Sequence, residues 1–170
     1  MKPWTWLRVG AALQGLGAIL HTIASMDSPS RGRAEQAVFA AMQSFQFQIA
    51  GVTRSHWDFY RGYELFITVV FAVLAVLIWQ LGNLSKTEPR QALPMIVTML
   101  TAEVLMSGIG WEYFFAGPGG MSILIGACLL AAIVGLRRVE QPTIQTDRVA
   151  RAGVADDKQR KIRDSSLRSE

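Results

Sequence analysis

Residues 57–81 read WDFYRGYELFITVVFAVLAVLIWQL, a charged opening followed by an unbroken apolar run that ends at Leu81. An α-helix rises about 1.5 Å per residue, so this segment is long enough to cross the ~30 Å hydrocarbon layer of a bilayer. Similar apolar stretches cover residues 6–26, 93–115 and 121–136. Together the four stretches predict an all-α fold, a four-helix transmembrane bundle.

The composition places the chain among integral membrane proteins. Hydrophobic residues make up 51% of its 170 residues and charged residues 18%, and the apolar residues are gathered in long runs, which indicates an integral membrane protein rather than a soluble domain. The net charge of +4 does not predict a nucleic-acid partner, because the basic residues flank the spans or lie in the polar tail, where topology and anionic headgroups explain them. We therefore expect membrane lipids as partners. Cys128 is the only cysteine, which excludes an internal disulfide and a Cys-ligated zinc cluster.

The basic residues also predict the orientation of the spans. Lys and Arg are more numerous on the side that holds the N-terminus, the 82–91 loop and the C-terminus. By the positive-inside rule both termini are then cytoplasmic, in a multi-pass protein of the cell membrane. Residues 1–140 form the membrane domain, and the charged, aromatic-poor segment 141–170 is predicted to be a disordered cytoplasmic tail. Thr22-Ile23-Ala24 weakly resembles a signal cleavage site, but no large domain follows it for export, so we expect the first span to be retained.

The segment between the first two spans predicts an amphipathic helix over residues 34–48. Apolar residues recur at helical spacing between Val38 and Ile49, and glutamines dominate the opposite face. Such a helix lies over the bundle or on the outer headgroups; a helix that binds a partner is the alternative. Ser55 and Asp58 have the spacing of a capping box that opens the second span.

Ionisable side chains inside the spans are the candidate functional residues, because a charge at membrane depth costs at least roughly 2–3 kcal/mol unless it is paired or neutralised. Glu64 lies in the second span, Glu103 near the middle of the third, and His21 near the outer end of the first. Since consecutive spans run in opposite directions, we expect these three to converge around an apolar cavity in the outer half of the bundle. Two carboxyls and an imidazole form a general acid/base arrangement, suited to isomerising or cyclising a hydrophobic small molecule.

Several neighbouring side chains are candidate ligand contacts of this cavity. They are Gln14, Trp57, Asp58, Tyr60 and Arg61. Arg61 is the predicted charge partner of the acids, and Gln14 shares a face of the first span with His21. The same residues are also explained as interhelical hydrogen bonds that only hold the bundle together, and spacing does not decide between the two interpretations.

The chain carries no motif of an established chemistry. H-E-x-x-H, G-x-S-x-G and a phosphate-binding loop are all absent. We expect no metal and no cofactor, and the residues leave open whether the protein is an enzyme. One alternative is a non-enzymatic structural or accessory membrane protein; another is a small transporter or channel subunit, although the spans lack internal symmetry. A homo-oligomer is compatible with each of these.

Two family resemblances follow from these residues. The Ser-x-Trp-Asp-Phe-Tyr motif at residues 55–60 resembles a group of small bacterial four-span membrane proteins, and this likeness implies a fold without an activity. More distantly, the layout is similar to the EXPERA superfamily, which includes a sterol isomerase and the sigma-2 receptor. That resemblance rests on His21 followed by Met26-Asp27, and on Tyr63-Glu64-Leu65. It implies that Asp27 and Glu64 face a sterol or an amine in a cavity.

Overall fold

A computed structural model describes residues 1–26 and 32–138. The elements in chain order are α1 (Pro3–Met26), α2 (Arg33–Ser44), β1 (Gln46–Ile49), β2 (Val52–Ser55), α3 (His56–Thr87), α4 (Pro89–Tyr113) and α5 (Ala116–Arg138). Four of these helices, α1, α3, α4 and α5, are long and apolar enough to cross a membrane. The predicted all-α, four-helix membrane bundle is confirmed, and the chain is a multi-pass integral membrane protein. Asp27 and the predicted tail 141–170 lie outside the described residues.

The start of α3 is the capping box that the sequence predicts. The Ser55 hydroxyl accepts a hydrogen bond from the Asp58 backbone N–H at 3.1 Å, and the Asp58 carboxylate accepts one from the Ser55 N–H at 2.8 Å. Two backbone donors at the helix start are thereby satisfied. At the other end α3 continues past Leu81 to Thr87, and α4 begins at Pro89, whose fixed φ suits a first helical turn.

The connector contains a β-hairpin that the sequence pattern did not predict. The amphipathic helix expected over residues 34–48 ends at Ser44, and β1 then pairs antiparallel with β2. The turn residues Ala50 and Gly51 have positive φ, 48° and 81°, as two-residue hairpin turns require. The helical prediction for residues 45–48 was therefore wrong, because these side chains alternate between the two faces of a strand.

Helix α1 packs against both α3 and α5 and is antiparallel to each. The hydroxyl oxygens of Thr22 and Thr68 lie 3.1 Å apart. Nearer the N-terminus, a Cβ on Gly10 would lie 3.8 Å from Ile78 in α3 and 3.4 Å from Cys128 in α5. Small residues on α1 thus allow close contact with both neighbours. Helix α3 packs far more extensively on α1 than on α4.

Helices α4 and α5 are antiparallel and come closest at two glycines. A Cβ on Gly110 would lie 2.8 Å from the backbone nitrogen of Gly119 and 2.9 Å from its Cα, so the two backbones touch directly. Deeper in the bundle, a Cβ on Gly126 would lie 3.8 Å from the Cβ of Glu103. The four spans therefore form a ring in the order α1, α3, α4, α5, each antiparallel to its neighbours.

The apolar core occupies the half of the bundle that holds the α1 N-terminus and the α3–α4 turn, which we call the N-terminal end. Its largest fully buried side chains are Leu7, Ile78, Ile96 and Leu129. All buried residues of α3 fall within 78–85. Towards the opposite end, which we call the hairpin end, polar and small residues dominate the buried set instead. Of the buried polar side chains, Ser25 and Ser55 lie at the hairpin end, Ser85 lies at the N-terminal end, and the others lie near the middle of the bundle, which are Gln14, Glu103 and Ser122.

The outward faces of the spans are apolar as well. Phe66 is 66% exposed, Val69 60% and Leu105 63%. A helix that is apolar on all sides is typical of a membrane span, because its outer face contacts lipid rather than water.

Candidate functional site

The first group of polar side chains joins α1 to α3 near the hairpin end. The His21 Nε2 atom lies 3.2 Å from the backbone oxygen of Glu64, not from its carboxylate, and the His21 ring meets the edge of Phe71 at 5.8 Å between centroids. The hydroxyl of Thr22, the next residue of α1, pairs with that of Thr68, one turn after Glu64 in α3. This pair is a second link between the same two helices. His21 is thereby placed as an interhelical hydrogen-bonding group.

Arg61 is the centre of this α1–α3 junction. Its guanidinium donates to the backbone oxygen of Ser25 and lies 3.4 Å from the Glu64 carboxylate, the ion pair that the spacing predicts. The Tyr60 hydroxyl also lies close to the Glu64 carboxylate. Glu64 is 16% exposed, and both of its partners hold it in place. The carboxylate of Glu64 is therefore engaged in structural contacts.

Asp58 and Trp57 lie in the first turn of α3, at the hairpin end. The Asp58 carboxylate is occupied by the capping box. Trp57 packs between Phe39 of α2 and Tyr60, with ring centroids 5.2 and 5.4 Å away. These residues attach the connector to α3, and the structure places them beside Glu64 rather than beside Glu103.

Glu103 forms a second polar group, in the interior of the bundle between α4 and α5. The residue is only 3% exposed. The Ser122 side chain of α5 lies next to its carboxyl, while the Oε2 atom is buried without a hydrogen-bond partner. A buried carboxyl oxygen left unpaired carries a desolvation cost of about 1–3 kcal/mol or more. Within the described part of the chain, Glu103 is the acid with an unmet hydrogen-bonding requirement.

The helix register separates the two carboxyls that the sequence was expected to bring together. The contacts of α5 with α4 and α1 place Glu103 level with about residue 12 of α1, whereas His21 marks the level of Glu64. The offset of roughly ten residues corresponds to about 15 Å along the bundle axis. His21 and Glu64 are neighbours, as the sequence predicts, but the predicted convergence with Glu103 around one cavity was wrong, because Glu103 lies at a different height.

Gln14 belongs to the layer of Glu103. It is 3% exposed and lies within one helical turn of the Glu103 level. Ser122, 7% exposed, completes a buried layer of three polar side chains from three helices, which we call the Glu103 layer. Two partly buried methionines, Met99 and Met121, pack on the core next to it. Their flexible side chains can change conformation to fill an irregular space.

Sequence reasoning missed Ser122 and the aromatic cluster around His56. Ser122 is the single hydroxyl in the otherwise apolar stretch 121–136, and that isolation was a usable signal. His56 stacks on Phe45 at 5.4 Å and contacts Phe47 at 5.1 Å. No sequence signal marked that cluster, because it depends on the unpredicted hairpin.

Metal ligation has no support among the residues described. Within 1–26 and 32–138, no three His, Cys, Asp or Glu side chains lie close enough together to hold an ion. Comparison with family models, with curated proteins and with solved structures found no match. The resemblances drawn from the motifs stay predictions, and the function has to be argued from the geometry.

Proposed function

We propose that this membrane protein binds a hydrophobic small molecule through the Glu103 layer. The observation that carries the proposal is the buried, unpartnered Oε2 atom of Glu103. A bound amine or hydroxyl would supply the missing hydrogen bond, and the rest of such a molecule would lie among apolar side chains. Buried polar groups that lack a partner are rare in folded proteins, and an ionisable residue inside a membrane span is a candidate functional residue.

The packing of α3 supports an approach to this layer from the lipid. Helix α3 is held mainly by α1 rather than by α4, and from the layer towards the hairpin end, beyond Ile78, none of its side chains is buried. The side of the layer between α3 and α4 is therefore less covered than the side between α1 and α3. A lipid-soluble molecule would enter between these two helices without crossing water.

The side chains around Glu103 fit the binding of a ligand better than its acid/base conversion. A proton relay needs a second titratable group within hydrogen-bonding reach of the substrate, yet Glu64 lies about 15 Å away along the axis. Gln14 and Ser122 can orient a ligand but are not acids or bases near neutral pH. Isomerisation or cyclisation thus has one candidate acid and no partner for it among the described residues.

A photo-crosslinking experiment tests the proposal. Membranes containing the full-length protein are labelled with a long-chain alcohol, and in parallel a long-chain amine, each carrying a diazirine and an alkyne. We expect labelled peptides from α4 and α5 around Glu103 and Ser122. Glu103→Leu should reduce labelling about tenfold or more, since a hydrogen bond to a carboxyl is worth roughly 1.5–3 kcal/mol.

The matched control is Glu112→Gln, which also removes an acid from α4 but at an exposed position. It should label like the natural protein. Equal labelling of the natural protein and Glu103→Leu would remove the proposed site. Equal loss in both variants would point to membrane insertion instead of binding.

A non-enzymatic structural role is the second candidate. It is favoured by the α1–α3 junction, where His21, Thr22, Arg61 and Glu64 all have partners within the protein. If Glu103 has only such a role, Glu103→Leu lowers thermal stability in detergent. If Oε2 is kept free for a ligand, the leucine variant is at least as stable as the natural protein, because an apolar side chain replaces an unpaired buried group.

We also propose that the N-terminal end faces the cytoplasm of the cell membrane. Among the described residues this end carries one acid, Glu88, and a larger set of basic side chains, which are Lys2, Arg8, Lys86, Arg90, Arg137 and Arg138. The hairpin end has no such excess. This distribution favours a cytoplasmic N-terminal end by the positive-inside rule.

A further inference from the structure

A compact cationic and aromatic cluster lies on the α1–α3 surface at the N-terminal end. The Arg8 guanidinium stacks 3.7 Å over the Trp79 ring centroid and donates to the Asn83 side-chain oxygen at 2.9 Å. The Lys86 ammonium lies 4.5 Å over the ring of Trp4. Two cations are thus each held against a tryptophan supplied by the other helix.

Helix geometry brings these five side chains to one surface. Trp4 and Arg8 are one turn apart on α1, and Trp79, Asn83 and Lys86 follow one face of α3. We call this set the Arg8 cluster.

A glycine holds the two helices close at this point. A Cβ on Gly82 would lie 3.5 Å from the Leu7 Cβ and 3.6 Å from the Trp4 backbone oxygen. This close packing of α1 against α3 helps to fix the positions of the two cations.

Neither cation of the Arg8 cluster forms an ion pair with a carboxylate of the described residues. The ion pair found among residues 1–26 and 32–138 joins Arg61 to Glu64 at the far end, and the Nε atom of Arg8 is buried without a partner. Asn83 and the tryptophan rings orient the charges but leave them uncompensated. An anion is the missing component of this arrangement.

Location decides which anion fits. Tryptophan and the ends of Lys and Arg side chains typically sit at the level of lipid headgroups. On the same side of the two helices, exposed Ala12, Ala72 and Val76 continue towards the middle of the span. These short side chains leave a smooth apolar surface for an acyl chain directly beneath the charges.

We propose that the Arg8 cluster binds the phosphate of an anionic glycerophospholipid, whose acyl chain lies along the α1–α3 surface. The phosphate lies between the Arg8 guanidinium edge and the Lys86 ammonium. This site is separate from the Glu103 layer and does not depend on the ligand proposed there. It places a lipid of one charge class at the α1–α3 pair, which is packed far more extensively than the α3–α4 pair.

Native mass spectrometry of the full-length protein tests the site. The protein is equilibrated with detergent micelles that contain equal amounts of phosphatidylglycerol and phosphatidylcholine, and the retained lipids are counted. We expect a strong preference for phosphatidylglycerol. Arg8→Gln and Lys86→Gln should each reduce that preference at least about tenfold, because each removes a hydrogen bond to a charged phosphate, worth roughly 1.5–3 kcal/mol.

The matched control is Arg138→Gln, which removes one exposed charge from the same end of the bundle. It should leave the preference nearly unchanged. An equal fall in all three variants would show diffuse attraction to negative charge, and an unchanged preference in Arg8→Gln and Lys86→Gln would also overturn the site. Because Lys86 is exposed, Lys86→Gln should fold normally. It therefore still measures the lipid preference if Arg8→Gln fails to fold.

Inorganic phosphate separates a lipid site from a free-anion site. Added at millimolar concentration at constant ionic strength, phosphate should not displace the retained phosphatidylglycerol, because it lacks the acyl chain. Displacement by phosphate alone would show that the cluster is an anion site without lipid selectivity, and the proposal would fail.

Discussion

Gly110→Ala tests the contact that sets the register of α4 against α5. A Cβ at this position would lie 2.8 Å from the Gly119 nitrogen and 2.9 Å from the Gly119 Cα, whereas non-bonded carbon atoms rest at about 3.5–4.0 Å. Both obstructing atoms belong to the backbone, so no flexible side chain can yield. The helices must separate by roughly 0.5–1 Å, and overpacking of this kind costs about 1–3 kcal/mol.

Gly108→Ala is the matched control on the same helix. A Cβ on Gly108 meets nothing within 4 Å. Both substitutions gain the same helix propensity, about 0.5–1 kcal/mol, so the difference between the two variants isolates the packing cost. We expect Gly108→Ala to be at least as stable as the natural protein and Gly110→Ala to be less stable than Gly108→Ala by about 1–3 kcal/mol.

Thermal unfolding in detergent, followed by tryptophan fluorescence, measures this difference. Trp111 lies at the contact, since a Cβ on Gly119 would be 2.9 Å from its indole nitrogen. The midpoint of Gly110→Ala should fall below that of Gly108→Ala by about 3–10 °C for a chain of this size. Equal midpoints would refute the close approach at Gly119, and with it the height assigned to Glu103.

Two further predictions concern the connector and the orientation. Ala50→Asn should stabilise the hairpin by about 0.5–1 kcal/mol, because asparagine tolerates positive φ better than alanine; slower hydrogen exchange of the β1 amides would show it, and faster exchange would contradict the turn geometry. To test the orientation, a fluorescent protein is fused after Arg138 and should fluoresce, because that position is cytoplasmic. Alkaline phosphatase inserted at Gly51 should be active, because the hairpin lies outside. The reverse pattern would overturn the proposed orientation.

The spans and the start of α3 could be predicted because their causes are local. A run of apolar side chains such as 65–81 must satisfy its backbone hydrogen bonds internally in lipid, and a helix does this without help from other segments. The Ser55–Asp58 capping box is likewise complete within four residues. The Arg61–Glu64 ion pair follows from helical spacing alone.

The hairpin was missed for a different reason. Its turn is Ala50-Gly51, and alanine at a positive φ is not among the residues that signal a two-residue turn. The apolar residues up to Ile49 also fit a helical period over so short a stretch, so alternation and helix periodicity could not be told apart.

The sequence by itself determined a membrane protein of four helices, with an acid or a histidine at a known position along three of them. Only the tertiary structure decided which of them meet. The heights of Glu64 and Glu103 depend on how far α3 and α5 slide along α1, and that is set by contacts between distant segments, such as Gly10 with Cys128 and Gly110 with Gly119. Because a helix presents the same faces at any register, no local pattern encodes that offset.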